Sequence, residues 1–354
     1  MKTDVVYLVV IFCACACVNI LLFVVHVIPE RSFTVRRLVF PNATAILPLQ
    51  STTPESLARR KSHNAPPFDD HSQNNRVFRF IINPHSACVR NDSIRWAMVT
   101  IVVSSSMYTE RRQAIRNTWG ANGKASNSKL FFLLGTSISG NNDIAKEFEL
   151  YQDIIQVDIL DRYQNLTYKS VAMLQWFNDY CSNAQVYMKA DDDVYVNTDN
   201  VFTKLISLAN TSRFFLCHVF RNAPPNRDLR SKWYTSETEY DKPYFPTYCS
   251  GIAYIMHGTI LQDLYSSARI AKYLTMEDVF ITGISARDLK VTHIHDENIW
   301  WTTAPPNGCA FQKLLVAHYM TPNDMFVVFS QLQSNEVNCT TNVNKYLKIV
   351  EDMT

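Results

Sequence analysis

The sequence predicts an α/β domain with a mainly parallel sheet, and two observations support this prediction. Six short apolar runs, several of them rich in β-branched and aromatic residues, are typical of β-strands. Segments with helical periodicity separate several of these runs. Strands that alternate with helices along a chain favour a parallel sheet that is covered by helices.

The predicted elements begin about 97 residues into the chain. The strands are 97–103, 130–134, 153–158, 185–190, 214–220 and 251–256, and the helices are 110–119, 142–151, 166–180 and 201–209. Sheets of this kind bind ligands at the carboxyl ends of their strands. Polar residues that directly follow a strand are therefore the first candidates for a functional site.

The N-terminus contains a long apolar stretch at residues 5–28, in which Asn19 and His26 are the only strongly polar residues. About 20 apolar residues suffice for a helix to cross a bilayer. A cleaved signal peptide is the alternative, but its apolar core is shorter and a clear small-residue cleavage site should follow. We therefore predict a short cytoplasmic tail at 1–4 and a transmembrane signal anchor at 5–28.

The charges that flank this anchor conflict with the orientation expected from the rest of the chain. Lys2 precedes the anchor, whereas Arg31, Arg36 and Arg37 follow it. Taken alone, the positive-inside rule places the C-terminal part in the cytoplasm. The motifs described below favour the opposite orientation.

A stem and a folded domain are predicted after the anchor. Residues 29–87 lack helical or strand periodicity and are rich in Pro, Ser, Thr and Asn, which predicts an extended stem before a domain at 88–350. The formal net charge of +2 gives no support for a nucleic-acid partner. An even number of cysteines outside the anchor suits disulfide bonds in an exported domain: Cys88, Cys181, Cys217, Cys249, Cys309 and Cys339.

Three consecutive aspartates, Asp191, Asp192 and Asp193, directly follow the predicted strand 185–190. Partly buried carboxylates repel each other and need a compensating charge. A solvated acidic turn is the alternative, but an apolar run resumes at Val194. In an extended segment Asp191 and Asp193 point to one side and Asp192 to the other, so the first and third suit a hard divalent cation.

Two further segments carry charges that suggest chemistry. Arg112 and Arg116 share one face of the predicted helix 110–119, where basic residues near the N-terminus oppose the helix dipole. They predict an anionic ligand, and a solvated basic face is the alternative. Asp278 opens another predicted helix, either as a general base or as the partner of Thr275 in a capping box.

Several other features have no assignment from the residues alone. His318 follows an apolar run and by itself is typical of a core histidine. The segment 232–251 is dense in aromatic residues, which indicates either core packing or a platform for sugar rings. Trp300 and Trp301 carry no prediction.

Seven segments, taken in order, resemble the beta-1,3-galactosyltransferase family of inverting, Golgi type II membrane glycosyltransferases. They are RRQAIRNTWG, FFLLGTS, DIIQVDILDRYQNLTYKS, VYMKADDDVYVN, KWYTSETEYDKPYFPTYCSGIAYIM, MEDVFITGI and LLVAHYMTPNDM. Together they span nearly all of residues 88–339. The resemblance implies the GT-A glycosyltransferase fold, a Rossmann-like α/β sheet that binds a nucleotide sugar, and it suggests a Cys309–Cys339 disulfide.

The resemblance also implies a role for particular residues. Asp191, Asp193 and His318 correspond to metal ligands, with Asp193 favoured as a direct ligand, and Asp278 corresponds to the catalytic base. The residues expected near the nucleotide sugar are Arg112, Arg116, Asp161, Lys169, Asp191, Asp192 and Trp233. Tyr234 and Tyr248 are expected with Trp233 in the wall between donor and acceptor.

The implied reaction is the Mn²⁺-dependent transfer of a hexose or N-acetylhexosamine from a UDP-sugar to the 3-hydroxyl of an acceptor sugar. Direct displacement gives a β1,3 linkage with inversion. The acceptor glycan is expected on a glycoprotein or glycolipid, and the enzyme in the Golgi membrane with a lumenal catalytic domain. The alternatives are an inactive lumenal sugar-binding or scaffold protein of the same fold, and a metal-dependent hydrolase.

Overall fold

A computed structural model of the chain describes two compact units, Met1–Pro67 and Phe68–Thr354. Backbone and side chains are described for residues 77–88, 96–121, 127–137, 143–334 and 339. The backbone alone is described for residues 6–9, 23–27, 33–37, 122 and 141–142.

The described part of the first unit is a three-stranded antiparallel sheet of β1 (Val6–Val9), β2 (Phe23–Val27) and β3 (Phe33–Arg37). Within the predicted anchor, residues 6–9 and 23–27 thus have extended backbone, which their valines favour, and the anchor itself stays a prediction. Residues 10–22, the middle of the anchor, lie outside the described residues. Within the described residues, no helix is long and apolar enough to cross a membrane.

The second unit alternates strands and helices as predicted. Its strands are β4 (Phe80–Ile82), β5 (Trp96–Val103), β6 (Ser128–Thr136), β7 (Ile154–Leu160), β8 (Ala184–Asp191), β9 (Tyr195–Val196), β10 (Phe214–Phe220), β11 (Tyr248–His257), β12 (Thr292–His295), β13 (Ile299–Thr303) and β14 (Val316–His318). Its α-helices are α1 (Thr109–Asn117), α2 (Trp119–Asn122), α3 (Asn141–Tyr151), α4 (Leu166–Tyr180), α5 (Thr198–Ser207), α6 (Leu261–Ile270), α7 (Gly308–Phe311) and α8 (Pro322–Gln333). Tyr163–Asn165 and Gly258–Ile260 are 3₁₀-helices, and Val279–Ile284 is a π-helix.

Eight of these strands form one mixed sheet in the order β12-β10-β11-β8-β5-β6-β7-β4. The pairs β10–β12, β8–β5, β5–β6 and β6–β7 are parallel. β11 runs antiparallel to both of its neighbours, and β4 closes the far edge as an antiparallel strand. The predicted α/β class is therefore confirmed. The sheet begins at Phe80, inside the predicted stem, so the folded unit starts earlier than residue 88.

A second, small sheet has the order β13-β14-β9. Its strand β9 follows the three aspartates almost directly, and its strand β14 ends at His318. This sheet therefore joins two segments that lie more than a hundred residues apart in the sequence.

Two apolar cores cover the two faces of the large sheet. Alternate residues of β5 contribute to different cores: Val99 and Ile101 to one, Met98 and Val102 to the other. This alternation is the consequence of the period-two geometry of a strand. With both faces covered, the polar ends of the strands are left as the place for chemistry.

The six cysteines of the second unit pair as Cys88–Cys181, Cys217–Cys249 and Cys309–Cys339. The prediction of disulfide bonds is thereby confirmed, including the Cys309–Cys339 pair. The second bond joins β10 to β11, which are neighbours in the sheet. Closed loops of this length restrict the unfolded chain, which stabilises the folded state.

The two predicted anion-binding arginines of α1 pair with carboxylates of the chain itself. Arg112 is fully buried and donates from Nε and Nη2 to both oxygens of Glu147, at 2.8 and 2.6 Å. Arg116 lies 2.7 Å from Glu147 and donates to both oxygens of Asp153 at 2.8 Å. This ion cluster fixes α1 to α3, and it corrects the argument that these basic residues require an anionic ligand.

We expect Glu147→Gln to lower the free energy of unfolding by about 3–5 kcal/mol, because Arg112 would keep its buried charge without a carboxylate partner. The measurement is urea unfolding of the intact chain at neutral pH. Lys146→Gln is the matched control, since Lys146 is the exposed neighbour on α3 and lies 3.7 Å from Asp143. The control should change stability by no more than about 0.5 kcal/mol. Equal effects of the two substitutions would contradict the role of the cluster.

Candidate active site

Two aspartates of the triplet and one distant histidine meet at the end of β8. Asp191 is the last residue of β8, and Asp193 lies in the turn that leads into β9. The pairing of Tyr195 with Ala317 brings β14 beside this turn, with His318 at its end. Asp191, Asp193 and His318 each offer one ligand atom, and these atoms lie within 4.8 Å of one another.

The imidazole of His318 is oriented by its neighbours. Its Nδ1 donates a hydrogen bond to the carbonyl oxygen of Trp301 at 3.2 Å, since a carbonyl oxygen can only accept one. Its Nε2 faces Asp193 at 3.3 Å. Its ring stacks on Tyr319, whose φ of 59° turns the chain sharply. The next amide, that of Met320, donates to the carbonyl oxygen of Asp193 at 2.8 Å. The loop of the aspartates is thus tied to the loop of the histidine.

The donor set of this group fits a divalent cation. Two carboxylates and one imidazole suit ions such as Mn²⁺, and three protein ligands leave positions for substrate oxygens. Burial raises the pKa of Asp191 to about 6, although Lys189 opposes the shift. Burial also acts to raise the pKa of Asp193, but His318 and Arg111 hold it below its ordinary value. A bound cation would relieve the crowding of negative charge here.

Asp192 points away from this group, as the alternation predicts. It is buried and accepts hydrogen bonds from Ser104 Oγ at 2.6 Å and from Arg111 Nη1 at 2.7 Å. Arg111 also lies 3.4 Å from Asp193 and stacks over the ring of Tyr108. Asp192 therefore anchors the triplet to Ser104, which directly follows β5, and Arg111 is a partly exposed cation beside the triplet.

Sequence reasoning missed Arg111. The helical spacing groups Arg112 with Arg116 and directs attention to that face of α1. Arg111 lies about 100° away around the helix, and its side chain is 32% exposed, whereas that of Arg112 is fully buried. The only indication of Arg111 in the sequence was the adjacent pair Arg111 and Arg112 at the start of the helix.

Three other residues that were predicted to lie near the nucleotide contact Ser104 or each other beside the triplet: Arg112, Asp161 and Lys169. Arg112 Nη1 lies 3.3 Å from Ser104 Oγ, the hydroxyl that binds Asp192. Lys169 is buried and donates to Asp161 at 2.7 Å and to the carbonyl oxygen of Ser104 at 2.8 Å. Burial lowers the pKa of Lys169, although Asp161 opposes the shift. Ser104 therefore connects Arg112 and Lys169 to Asp192.

Asp278 lies beside β11, at the start of the π-helix. Its two carboxylate oxygens accept hydrogen bonds from the amides of Gly251 at 3.2 Å and Val279 at 2.8 Å. A Cβ atom on Gly251 would lie 3.3 Å from Oδ2 of Asp278, so glycine permits this close approach. The amide of Thr275 donates to Glu239 instead, and within the described residues no hydrogen bond joins Thr275 to Asp278. The capping-box alternative is therefore wrong.

The environment of Asp278 suits a proton acceptor. Burial, together with repulsion from Glu277, raises the pKa of Asp278 to about 7, although the amides of Val279 and Gly251 and the charge of Lys189 oppose the shift. A general base works best when its pKa lies near the working pH. Asp278 is therefore a candidate proton acceptor.

The buried ammonium of Lys189 links the two carboxylate groups. It lies 2.5 Å from Asp191 Oδ1 and 3.8 Å from Glu277 Oε2, and it also donates to the carbonyl oxygen of Gly251. Tyr254 donates to the other oxygen of Glu277 at 2.9 Å. One charged network therefore connects the candidate metal ligands to the residue next to Asp278.

Among the described contacts of Trp233, none joins it to this network. Its indole is well exposed and stacks with the ammonium of Lys232. Tyr248, in contrast, lies close enough to Asp278 that the carboxylate adds to the effect of burial in raising the pKa of the phenol. The structure thus brings Tyr248 to the candidate base, whereas a nucleotide contact for Trp233 stays a prediction.

Comparison with known proteins agrees with this geometry. A family model described as galactosyltransferase matches residues 110–297, a range that includes the triplet and Asp278. Human beta-1,3-galactosyltransferase 5 is 31% identical over 248 residues, covering 67% of this chain and 79% of that protein. Mouse beta-1,3-galactosyltransferase 1 is 30% identical over 276 residues, covering 76% of this chain and 82% of that protein.

One solved structure, the apo form of the WbbM bifunctional glycosyltransferase, aligns with a TM-score of 0.40 at 10% identity, covering 68% of this chain and 51% of that one. The assignment rests on the family model and the sequence relatives, which match most of the second unit. The chain therefore belongs to the galactosyltransferase family, and it is a glycosyltransferase.

Proposed function

We propose that the protein transfers a hexose or N-acetylhexosamine from a UDP-sugar to the 3-hydroxyl of an acceptor sugar, forming a β1,3 linkage with inversion. The observation that carries this proposal is the network through Lys189, which joins Asp191 of the candidate metal group to Glu277, the neighbour of Asp278. A leaving-group site and a proton acceptor are thus held in one place. The names of the sequence relatives support the β1,3 linkage. We assign the fold to the GT-A type.

Asp191, Asp193 and His318 would hold the divalent cation, for which we propose Mn²⁺. When bound, the ion supplies Lewis-acid stabilisation of the charge that develops on the diphosphate. Arg111 reaches the same place and adds a positive charge that needs no reorganisation during the reaction. Asp192 and Ser104 hold Arg111 and the triplet in position.

Asp278 acts as the base. It takes the proton of the acceptor hydroxyl while that oxygen forms a bond to the anomeric carbon. The bond from this carbon to the UDP oxygen breaks on the opposite face, and its electron pair leaves with UDP. The amides of Gly251 and Val279 fix the carboxylate and keep one orientation for the proton transfer.

We further propose a single-pass type II Golgi membrane protein with a lumenal catalytic domain, which acts on glycans of glycoproteins or glycolipids. The apolar stretch at 5–28 supports the anchor, and three disulfides suit an oxidising compartment. The tail at 1–4, a stem that starts at residue 29, and a catalytic domain that includes β4 at Phe80–Ile82 and extends to residue 350 complete this proposed organisation.

A substrate screen tests the proposed reaction. UDP release is measured with UDP-galactose, UDP-N-acetylglucosamine and UDP-N-acetylgalactosamine against methyl α- and β-glycosides, with Mn²⁺ and with EDTA. The proposal expects Mn²⁺-dependent release that requires a sugar acceptor, and a β1,3 linkage in the product by NMR. Release with water as the sole acceptor would identify a hydrolase instead.

Asp193→Ala should weaken Mn²⁺-dependent UDP binding by about 100-fold or more, because it removes a candidate ligand at the centre of the group. Isothermal titration calorimetry with Mn²⁺ measures the effect. Asp199→Ala is the control, since Asp199 is an exposed carboxylate in the first turn of α5. Normal UDP binding by the Asp193 variant would exclude this residue as a ligand.

Asp278→Asn should leave UDP binding unchanged and reduce the transfer rate by about 100- to 10,000-fold, the range that a general base contributes. Steady-state assays and calorimetry on the same preparation separate the two effects. Asp288→Asn, which alters an exposed carboxylate paired with Arg287, should transfer normally. A fully active Asp278 variant would refute the assignment of the base.

The pH profile follows from the raised pKa of Asp278, which is about 7. The base must be ionised, so kcat/KM should fall as the pH drops through this value, by about tenfold for each further pH unit. Above it the rate should level off. Assays at saturating Mn²⁺ check this expectation, and a rate that stays constant from about pH 5.5 to 8 would contradict it.

A further inference from the structure

Trp301 has an exposed indole beside the candidate metal group. It lies on β13, and 45% of the residue is exposed. Its backbone carbonyl contacts Nδ1 of His318, so the position of the residue is fixed relative to the site. The side chain takes no part in that contact. An exposed tryptophan whose backbone contacts a candidate metal ligand calls for an explanation beyond core packing.

A row of rings leads from Trp301 towards the base. The centroid of Trp301 lies 5.6 Å from that of Phe220, and Phe220 lies 5.3 Å from Tyr248. Tyr248 in turn lies beside the π-helix that follows Asp278, because a Cβ atom on Gly283 would be 3.2 Å from the Cβ of Tyr248. It also lies close enough to Asp278 that this carboxylate helps to raise the pKa of its phenol. One end of the row is therefore next to a candidate metal ligand, and the other is next to the base.

The three rings of this row, Trp301, Phe220 and Tyr248, carry no formal charge. Burial and the neighbouring His295 lower the pKa of His218, whose ring lies 6.1 Å from Trp301. Burial and Asp278 raise the pKa of Tyr248, so its phenol keeps its proton. Arg111, the cation assigned to the diphosphate, contacts Asp192 and Asp193. The exposed, uncharged indole of Trp301 suits a neutral sugar ring rather than a nucleotide diphosphate.

We propose that the indole of Trp301, supported from behind by the half-buried Phe220 and the buried Tyr248, forms the acceptor wall, against which the C–H face of a neutral hexopyranoside packs with its 3-hydroxyl directed to Asp278. This inference rests on the proposed function and deepens it, because it names the part of the chain that selects the acceptor. Aromatic side chains offer large, rigid contact area of the kind that lines ligand sites. Trp301 is the exposed member and sets the affinity for the acceptor.

The test compares Trp301→Ala, Trp301→Phe and Trp301→Leu in the full chain. The acceptors are methyl β-galactoside, methyl β-N-acetylglucosaminide and the acidic methyl β-glucuronide, with the best donor of the screen. For a neutral acceptor we expect alanine and leucine to raise KM about tenfold with little change in kcat, whereas phenylalanine restores most of the affinity. The glucuronide should be the poorest acceptor. Mn²⁺-dependent UDP binding should be unchanged, since the carbonyl that contacts His318 remains.

Phe326→Ala is the matched control, because Phe326 is an aromatic residue of α8 with 44% exposure, and its KM should equal that of the wild type. If Trp301→Ala fails to fold, the KM values of Trp301→Leu and Trp301→Phe for the neutral acceptor are compared instead. An unchanged KM in the alanine and leucine variants, or a loss of UDP binding, overturns the acceptor wall while the proposed reaction stands. Absence of transfer by the wild type with every donor overturns both.

Discussion

The buried ammonium of Lys189 is the interaction on which the site depends. Strand β8 and the π-helix bring Asp191, Glu277 and Asp278 close together, and such carboxylates repel one another in a partly buried place. Lys189 is 1% exposed and lies between the first two of them. Burial alone would lower its pKa, but Asp191 and Glu277 hold it above the ordinary value, so the lysine stays charged. Its charge allows the fold to hold the candidate metal ligands and the candidate base close together.

The rest of the site is arranged around this charge by strand pairing. The small sheet β13-β14-β9 sets His318 beside Asp193, and it also sets Trp301 beside His318. The large sheet sets Ser104, at the end of β5, beside Asp192. Strand pairing therefore brings the segments of the site together, and side-chain hydrogen bonds and ion pairs then orient the individual groups.

The local sequence pattern predicted the strands and helices well. The limits of the same pattern explain which charged residues were misjudged. The strand before the triplet and the outward direction of Asp192 follow from the two-residue period, and both are found. The same kind of reasoning on α1 selected Arg112 and Arg116, whose charges Glu147 and Asp153 neutralise from distant positions. This reasoning did not identify Arg111 and assigned no role to Lys189. Partners that are more than thirty residues away in the sequence cannot be read from the helix that they pair with.

The sequence by itself determined the α/β class, the disulfide-forming cysteines, the aspartate triplet and, through its resemblance to a family, the residues expected to act as metal ligands and base. Those features depend on residue type and on spacing within one segment. Only the tertiary structure decided which cation meets the triplet, that His318 reaches Asp193, and that Trp301 lies in line with Phe220 and Tyr248. The physical reason is that charge compensation and ring packing act over a few ångströms in space, between segments whose separation along the chain carries no information about their distance.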